Sequence, residues 1–96
     1  MNLTLVAKIT AKANKAEELK NELEDLLIPV RAEKGCMHYD LHYSQEEEGV
    51  FLFHETWSTE DDWNTHMESD LLKVFFAKED ELIESVDLSK WTKSSL

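Results

Sequence analysis

The sequence predicts an α+β fold in which helical segments cover one face of a four-stranded antiparallel sheet. Four segments have the pattern of strands, and helical patterns follow the first and the third of them. The chain has 96 residues, and at this length about 60–70% of the unfolded surface can be buried in one core. We therefore expect one domain over residues 1–96, with a short tail at 92–96.

A change of hydrophobic period separates the first strand from the first helix. Leu5, Ala7 and Ile9 occupy alternate positions with mostly polar residues between them, which is typical of a half-buried strand. From Leu19 to Val30, apolar side chains recur at helical spacing. This second pattern indicates an amphipathic helix with one stripe facing the core.

The ends of this helix are predicted from four residues. Asn14 followed by Glu17 resembles a capping box, in which the Asn side chain accepts from the first-turn amides. Pro29 has no N–H to donate and its ring crowds the preceding turn, so we expect a kink or an end near Leu27. Gly35 suits a left-handed stop before the next strand.

Two further strands are predicted over 36–43 and 50–57, joined by a polar connection. One face of the second strand is formed by Met37, Tyr39, Leu41 and Tyr43, and the other by Cys36, His38, Asp40 and His42. Both faces of the third strand are largely apolar, so we expect it to be central in the sheet.

In the C-terminal third, the sequence pattern predicts a helix with a break and then a last strand. Ser58 or Thr59 can cap a short helix whose first turn is acidic, and a break is expected at Ser69. Residues 83–91 have a weaker strand pattern. The order strand, helix, strand, strand, helix, strand is that of the split βαβ, or ferredoxin-like, fold.

Composition excludes several classes of function. The net charge is −11, from 21 acidic against 10 basic residues, and no basic cluster is present. Binding to nucleic acid or to an anionic membrane surface is therefore not expected. No apolar run approaches the length of a membrane span, and a single cysteine, Cys36, favours a reducing compartment. We expect a cytoplasmic protein.

The second face of the predicted sheet, which the helices do not cover, favours contact with another protein chain. Val50, Leu52 and the apolar stripe of the first strand would leave this face partly apolar. Such a patch is costly to leave in water. Pairing two sheets face to face around a two-fold axis removes it, so we expect a homodimer.

Four segments together resemble the antibiotic biosynthesis monooxygenase family. Residues 5–9 resemble its first strand, and residues 29–36 (PVRAEKGC) with Tyr39 resemble its P-x-R-x-E-x-G-C-x-x-Y passage. Residues 53–60 (FHETWSTE) are similar to its E-x-W-x-s-x-e passage, and residues 63–69 to its H-x-x-s helix. Each segment is short, but the set occurs in the family's order and at similar spacings.

The resemblance implies a dimeric α+β barrel with a pocket between sheet and helices. Family members include quinol-type monooxygenases that need no cofactor and oxidise phenols or quinols with molecular oxygen. Others degrade haem, or rearrange or degrade small signalling molecules. It therefore implies an oxidoreductase that acts on a small-molecule substrate without a cofactor.

Two departures from the family pattern bear on its chemistry. Haem-degrading members have an Asn on the first strand and a His late in the helical region. Those places here hold Lys8 or Ile9 and Phe75 or Phe76, which argues against haem ligation. The Thr-Pro-His of many quinol-type members is replaced by Ser-Asp-Leu at 69–71, so any role of its second His is absent.

His66 and Glu55 are the candidate catalytic residues. A histidine titrates near neutral pH, and the resemblance implies that His66 faces the pocket. Glu55 lies on an apolar strand face, where a carboxylate needs a partner or its pKa rises. We expect the two to pair and to remove a proton from a phenol. The alternative is that both are structural and pin the helix to the sheet.

Four aromatic residues are candidates for binding a flat substrate, and Trp57 is the strongest of them. The four are Trp57, Trp63, Phe51 and Phe53. Ordinary core packing explains the same spacings.

The run His38-x-Asp40-x-His42 places three potential metal ligands on one strand face. Three consecutive positions on one face rarely converge on a single ion, so no metal is expected. A polar face is the simpler interpretation. Cys36 is interpreted as a small buried hydrophobe.

Three hypotheses follow for function. The first is a cofactor-independent monooxygenase for a small phenol or quinol. The second is an isomerase or degrading enzyme for a small signalling metabolite, which a polar, phosphate-binding pocket would favour. The third is a dimeric binding domain without catalysis.

Overall fold

The computed structural model describes residues 2–96, which form one open sheet with helices packed on one of its faces. The strands are β1 (Leu3–Ala11), β2 (Cys36–Tyr43), β3 (Val50–Trp57) and β4 (Ile83–Trp91). The helices are α1 (Ala16–Arg31), α2 (Glu60–Met67), α3 (Asp70–Phe76) and α4 (Glu79–Leu82). Neighbouring strands run antiparallel in the order β2-β3-β1-β4. The predicted ferredoxin-like α+β fold is confirmed, and so is the central position of β3.

The register of the sheet decides which side chains lie under the helices. Leu5 pairs with Glu55, and Ala7 with Phe53, so the apolar stripe of β1 and the 53/55 face of β3 share one side. Leu5 and Ala7 are buried there with the apolar stripe of α1. The prediction that this β1 stripe lies on the second face is therefore wrong. The open face carries the alternate residues instead, among them Val6.

Helix α1 begins and ends differently from the sequence prediction. Lys15 occupies the N-cap without a capping hydrogen bond from its side chain, while Asn14 has a φ of 66° and makes the turn after β1. The predicted capping box is therefore absent. Pro29 lies inside the helix, which continues to Arg31. Pro29 is exposed and Val30 is fully buried, so water can satisfy the freed carbonyl while the buried stripe holds the last turn.

Thr59 caps α2 as predicted, and Ser69, where only a break was expected, caps α3. The Thr59 hydroxyl accepts from the backbone N–H of Asp62 at 3.0 Å, and the Ser69 hydroxyl accepts from that of Leu72 at 3.2 Å. Ser69 therefore separates two short helices where a break was expected. None of the helices within residues 2–96 is long and apolar enough to cross a bilayer.

Candidate functional site

A small apolar cavity lies between the covered face of the sheet and helices α1 to α3. Its volume is about 70 Å³, and its walls come from every strand and from these helices. Three of its lining residues, Tyr39, Glu55 and His66, have ionisable side chains, and burial raises the pKa of Tyr39 far above its usual range, which leaves Glu55 and His66 as the candidate acid–base groups. The cavity is thus an apolar space with two candidate acid–base groups.

Two of the four aromatic candidates line this cavity, and two lie elsewhere. Phe53 and Trp63 are lining residues. Phe51 is buried in the core, with its ring edge-on to Tyr43 at a centroid distance of 6.0 Å. Trp57 is fully buried and contacts both Glu55 and His66.

His66 is held by three contacts from three different segments. Its Nδ1 lies 2.9 Å from Oε1 of Glu33, in the turn between α1 and β2. The Trp57 ring lies against the imidazole at 4.6 Å and 31°, and the Tyr39 ring meets it edge-on at 5.7 Å. His66 is only 2% exposed. Burial lowers the pKa of His66, and the Glu33 carboxylate opposes this shift, so the ring is neutral at pH 7.

Glu55 is the other buried ionisable group of the cavity. Its Oε1 accepts a hydrogen bond of 2.9 Å from Nε1 of Trp57, two residues along the same strand face. Burial raises the pKa of Glu55 to about 7, although the Trp57 bond acts in the opposite direction. Near neutral pH this carboxyl group can therefore both accept and donate a proton.

The expected hydrogen bond between Glu55 and His66 is not formed. Trp57 satisfies Glu55, because alternate residues of a strand share a face, and Glu33 satisfies His66. No fully buried side-chain nitrogen or oxygen within residues 2–96 lacks a partner. The second oxygen of Glu55 and Nε2 of His66 make no hydrogen bond there, so both atoms border space that water can reach.

Glu33 is a site residue that the sequence reasoning missed. It belongs to the passage at 29–36 that carries the family resemblance, but nothing in local periodicity marks it as a partner of His66. The two are 33 positions apart in the chain. Only the tertiary packing of α2 against the turn after α1 brings them together.

The three potential metal ligands of β2 lie on the opposite, open face of the sheet. Asp40 pairs with His54 of β3 in the strand register, and its carboxylate lies 3.5 Å from the guanidinium of Arg31. His38 and His42 are exposed. Within residues 2–96, no group of three or more His, Cys, Asp or Glu side chains is arranged to hold a metal ion.

Comparison with known proteins agrees with the resemblance in the sequence. The family model for antibiotic biosynthesis monooxygenase matches residues 2–78. YcnE of Bacillus subtilis (strain 168), whose name proposes a monooxygenase, is 36% identical over 81 residues, which cover 84% of this chain and 85% of that protein.

Two crystal structures share the fold over almost the whole chain. PA3566 of Pseudomonas aeruginosa has 32% sequence identity and a TM-score of 0.95, covering 98% of this chain and 95% of that one. SO0527 of Shewanella oneidensis has 27% identity and a TM-score of 0.91, covering 96% of this chain and 90% of that one.

Proposed function

The chain belongs to the antibiotic biosynthesis monooxygenase family, and from that premise we propose that it oxidises a small aromatic phenol or quinol with molecular oxygen, without a cofactor. One observation carries the proposal. The apolar cavity contains a neutral buried histidine and a carboxyl group with a pKa of about 7, and apolar walls surround both. Such a space suits a largely apolar substrate that must lose a proton before it reacts.

The proposed reaction uses the two groups in sequence. Nε2 of His66 accepts the phenolic proton, and the resulting anion is electron-rich at a ring carbon that carries hydrogen. That carbon forms a bond to molecular oxygen, and the imidazolium returns its proton to the peroxide anion, which gives a hydroperoxide. Glu55, in its protonated form, donates to the distal oxygen as the O–O bond breaks, while His66, neutral again, accepts the proton that the carbon loses. One oxygen atom ends in a quinone carbonyl and the other in water.

The size of the cavity limits the substrate and requires side chains to move. A cavity of about 70 Å³ is smaller than the roughly 150 Å³ that accommodates benzene in an apolar protein interior. Val86 and Leu88 of β4 line the cavity and are 45% and 43% exposed, which places its opening along this edge strand. Met67 and Phe76, both only partly buried, can move aside to admit a ring.

The composition of the cavity wall favours this proposal over the signalling-metabolite hypothesis. A phosphorylated metabolite needs basic partners, and among the described residues that line the cavity there is no lysine or arginine. Lys8 and Lys73 are exposed, and Arg31 pairs with Asp40 on the rim of the open face. No observation favours the second hypothesis.

We also propose that the protein is a homodimer joined through the open face of its sheet. Leu52 and Val6 are half-buried there, Val50 is buried, and Trp91 is 58% exposed. Pairing two copies would remove the accessible parts of Val6, Leu52 and Trp91 from water. Leu52→Asp should therefore convert dimer to monomer in light scattering at micromolar concentration, whereas Ile28→Asp, on an exposed position of α1, should not. A wild-type protein that is monomeric in this assay would refute the dimer.

Oxygen consumption tests the enzymatic proposal. Purified protein is mixed with a panel of anthrones and hydroquinones, and the rate is compared with that in buffer alone. We expect uptake with at least one substrate and, with ¹⁸O₂, one labelled oxygen in the product. A parallel panel with added flavin or haem tests the claim that no cofactor is needed. No turnover above buffer in any condition would overturn the proposal and favour a binding domain.

A further inference from the structure

We propose that Glu33 is a positioning residue that fixes the tautomer of His66. Its carboxylate accepts the hydrogen of Nδ1, at 2.9 Å, and so leaves the Nε2 lone pair free to accept a proton. The inference rests on the proposed function only where it assigns a catalytic task to Nε2. The hydrogen bond and the tautomer can be tested without any substrate.

The turn that carries Glu33 is anchored at several backbone points. The N–H of Glu33 donates to Val30 at 2.9 Å, its carbonyl accepts from Cys36 at 3.2 Å, and the carbonyl of Gly35 accepts from Ser58 at 2.8 Å. These bonds tie the turn to the end of α1 and to the end of β3. Glu33 is therefore held in place independently of its bond to His66.

Gly35 allows α2 to approach this turn closely. It has a φ of +80°, and a Cβ at this position would clash with the carboxylate of Asp62 in the first turn of α2. Because α2 also carries His66, the same close approach sets the distance between Glu33 and the imidazole. The pair is thus a consequence of how the helix packs against the turn.

Packing restricts the imidazole to its hydrogen bond with Glu33. It is fully enclosed apart from 2% of its surface, and the Trp57 and Tyr39 rings restrict its rotation. With Nδ1 directed at a carboxylate, which can only accept, the neutral ring must carry its hydrogen on Nδ1. Without Glu33, the tautomer with the hydrogen on Nε2 would compete, and it would remove the lone pair that accepts the proton in the proposed reaction.

Among the groups around the ring, Glu33 favours the protonated form of the imidazole. Glu33 raises the pKa of His66 through its hydrogen bond and its charge, against the lowering caused by burial. Glu55 and Tyr39 face the cavity side, and Asp61, Asp62 and Lys34 share a polar surface cleft with Glu33 and His66. Glu33 is the only one of these charges hydrogen-bonded to the ring within residues 2–96.

Nitrogen-15 NMR of the imidazole, on the substrate-free protein, tests the proposal directly. We expect a protonated Nδ1 and an unprotonated Nε2 in the wild type, and a shift of population toward the Nε2–H tautomer in Glu33→Ala. Glu33→Gln keeps an oxygen that can accept but removes the charge, so the pKa of His66 should decrease. Glu47→Gln, an exposed charge-matched control in the β2–β3 loop, should change neither property.

Two results would overturn the role of Glu33. One is a wild-type ring protonated on Nε2, and the other is an unchanged tautomer and pKa in both Glu33 variants, with folding verified by circular dichroism. If the protein turns over a substrate, Glu33→Ala should also lower kcat by about 10–100-fold with a smaller change in KM, as expected for loss of an orienting partner. An absence of turnover with the expected NMR result would refute the proposed function and leave the positioning role intact.

Discussion

His54 and Glu55 are neighbours in β3, yet they lie on opposite faces of the sheet and in very different surroundings. Glu55 is 6% exposed beneath the helices and hydrogen-bonds to Trp57. His54 is exposed on the open face, opposite Asp40 in the strand register. A step of one residue along a strand reverses the direction of the side chain. Residues with similar chemistry are therefore placed either in an apolar cavity or in solvent.

The comparison shows that burial, more than residue type, prepares a group for acid–base chemistry. The covered face removes water from Glu55 and His66, and burial is the largest cause of both pKa shifts, upward for the acid and downward for the base. The open face has three histidines and an aspartate, but they keep contact with water. The open face has more polar side chains, but it is thus less suitable for acid–base chemistry.

The largest expected difference between the two faces is in catalysis. His66→Gln should lower kcat for a phenol substrate by about 10²–10⁴-fold, the usual contribution of a positioned acid–base group. His54→Gln, the matched substitution on the open face, should change kcat by less than about twofold. Steady-state oxygen consumption measures both. Equal losses in the two variants would mean that the cavity is not the reaction site.

The effect of burial on Glu55 can also be tested through the pH dependence of the free energy of unfolding. The folded-state pKa of about 7 lies above the unfolded value of 4.5, so the folded protein binds the extra proton between these pH values. Stability contributed by this group is therefore complete below pH 4.5 and is lost as pH rises to 7. Removing the charge in Glu55→Gln should stabilise the protein by about 3 kcal/mol above pH 7, from roughly 1.4 kcal/mol per pKa unit, and by little at pH 4.

Urea unfolding at pH 4, 6 and 8 measures this effect. Gln retains a side-chain oxygen that can accept from the indole of Trp57, so the substitution changes mainly the charge. A Glu55→Gln variant that is no more stable than wild type at pH 8 would show that the buried carboxylate is better solvated than its surroundings imply.

Trp57→Phe removes the hydrogen bond to Glu55 while keeping an aromatic ring beside His66. Because this bond lowers the pKa of Glu55, its loss should raise that pKa and move the alkaline limb of the rate profile to higher pH. Loss of the bond and of ring volume should destabilise the protein by about 1–3 kcal/mol. The dependence of kcat on pH and thermal unfolding measure the two effects. An alkaline limb that stays in place would remove Glu55 as its source.

The fold was predictable because local patterns and global topology agree in this chain. The alternation in β1, the helical stripe of α1 and the Thr59 and Ser69 caps each indicate the element that forms. Pro29 was misleading because its effect depends on whether it lies on the exposed or the buried side of the helix. That side is set by packing, which a local rule does not contain.

The site was only partly predictable, for a related reason. Residue type and an apolar strand face were enough to select Glu55 and His66 as candidates. Their partners were not predictable in the same way, since Trp57 reaches Glu55 along the strand whereas Glu33 reaches His66 across the fold. Hydrogen bonds between distant segments depend on side-chain geometry after packing. Periodicity specifies a face but not a partner.

The smallest expected effect comes from the ion pair at the rim of the open face. Asp40 and Arg31 are 3.5 Å apart, and their side chains are 49% and 45% exposed. Pairs this exposed typically contribute about 0–1 kcal/mol and are screened by salt. Asp40→Asn should therefore change the free energy of unfolding by less than about 1 kcal/mol. A loss as large as the Glu55→Gln gain would contradict the exposed position of this pair at the rim, and its dependence on protein concentration would show whether a second copy covers it.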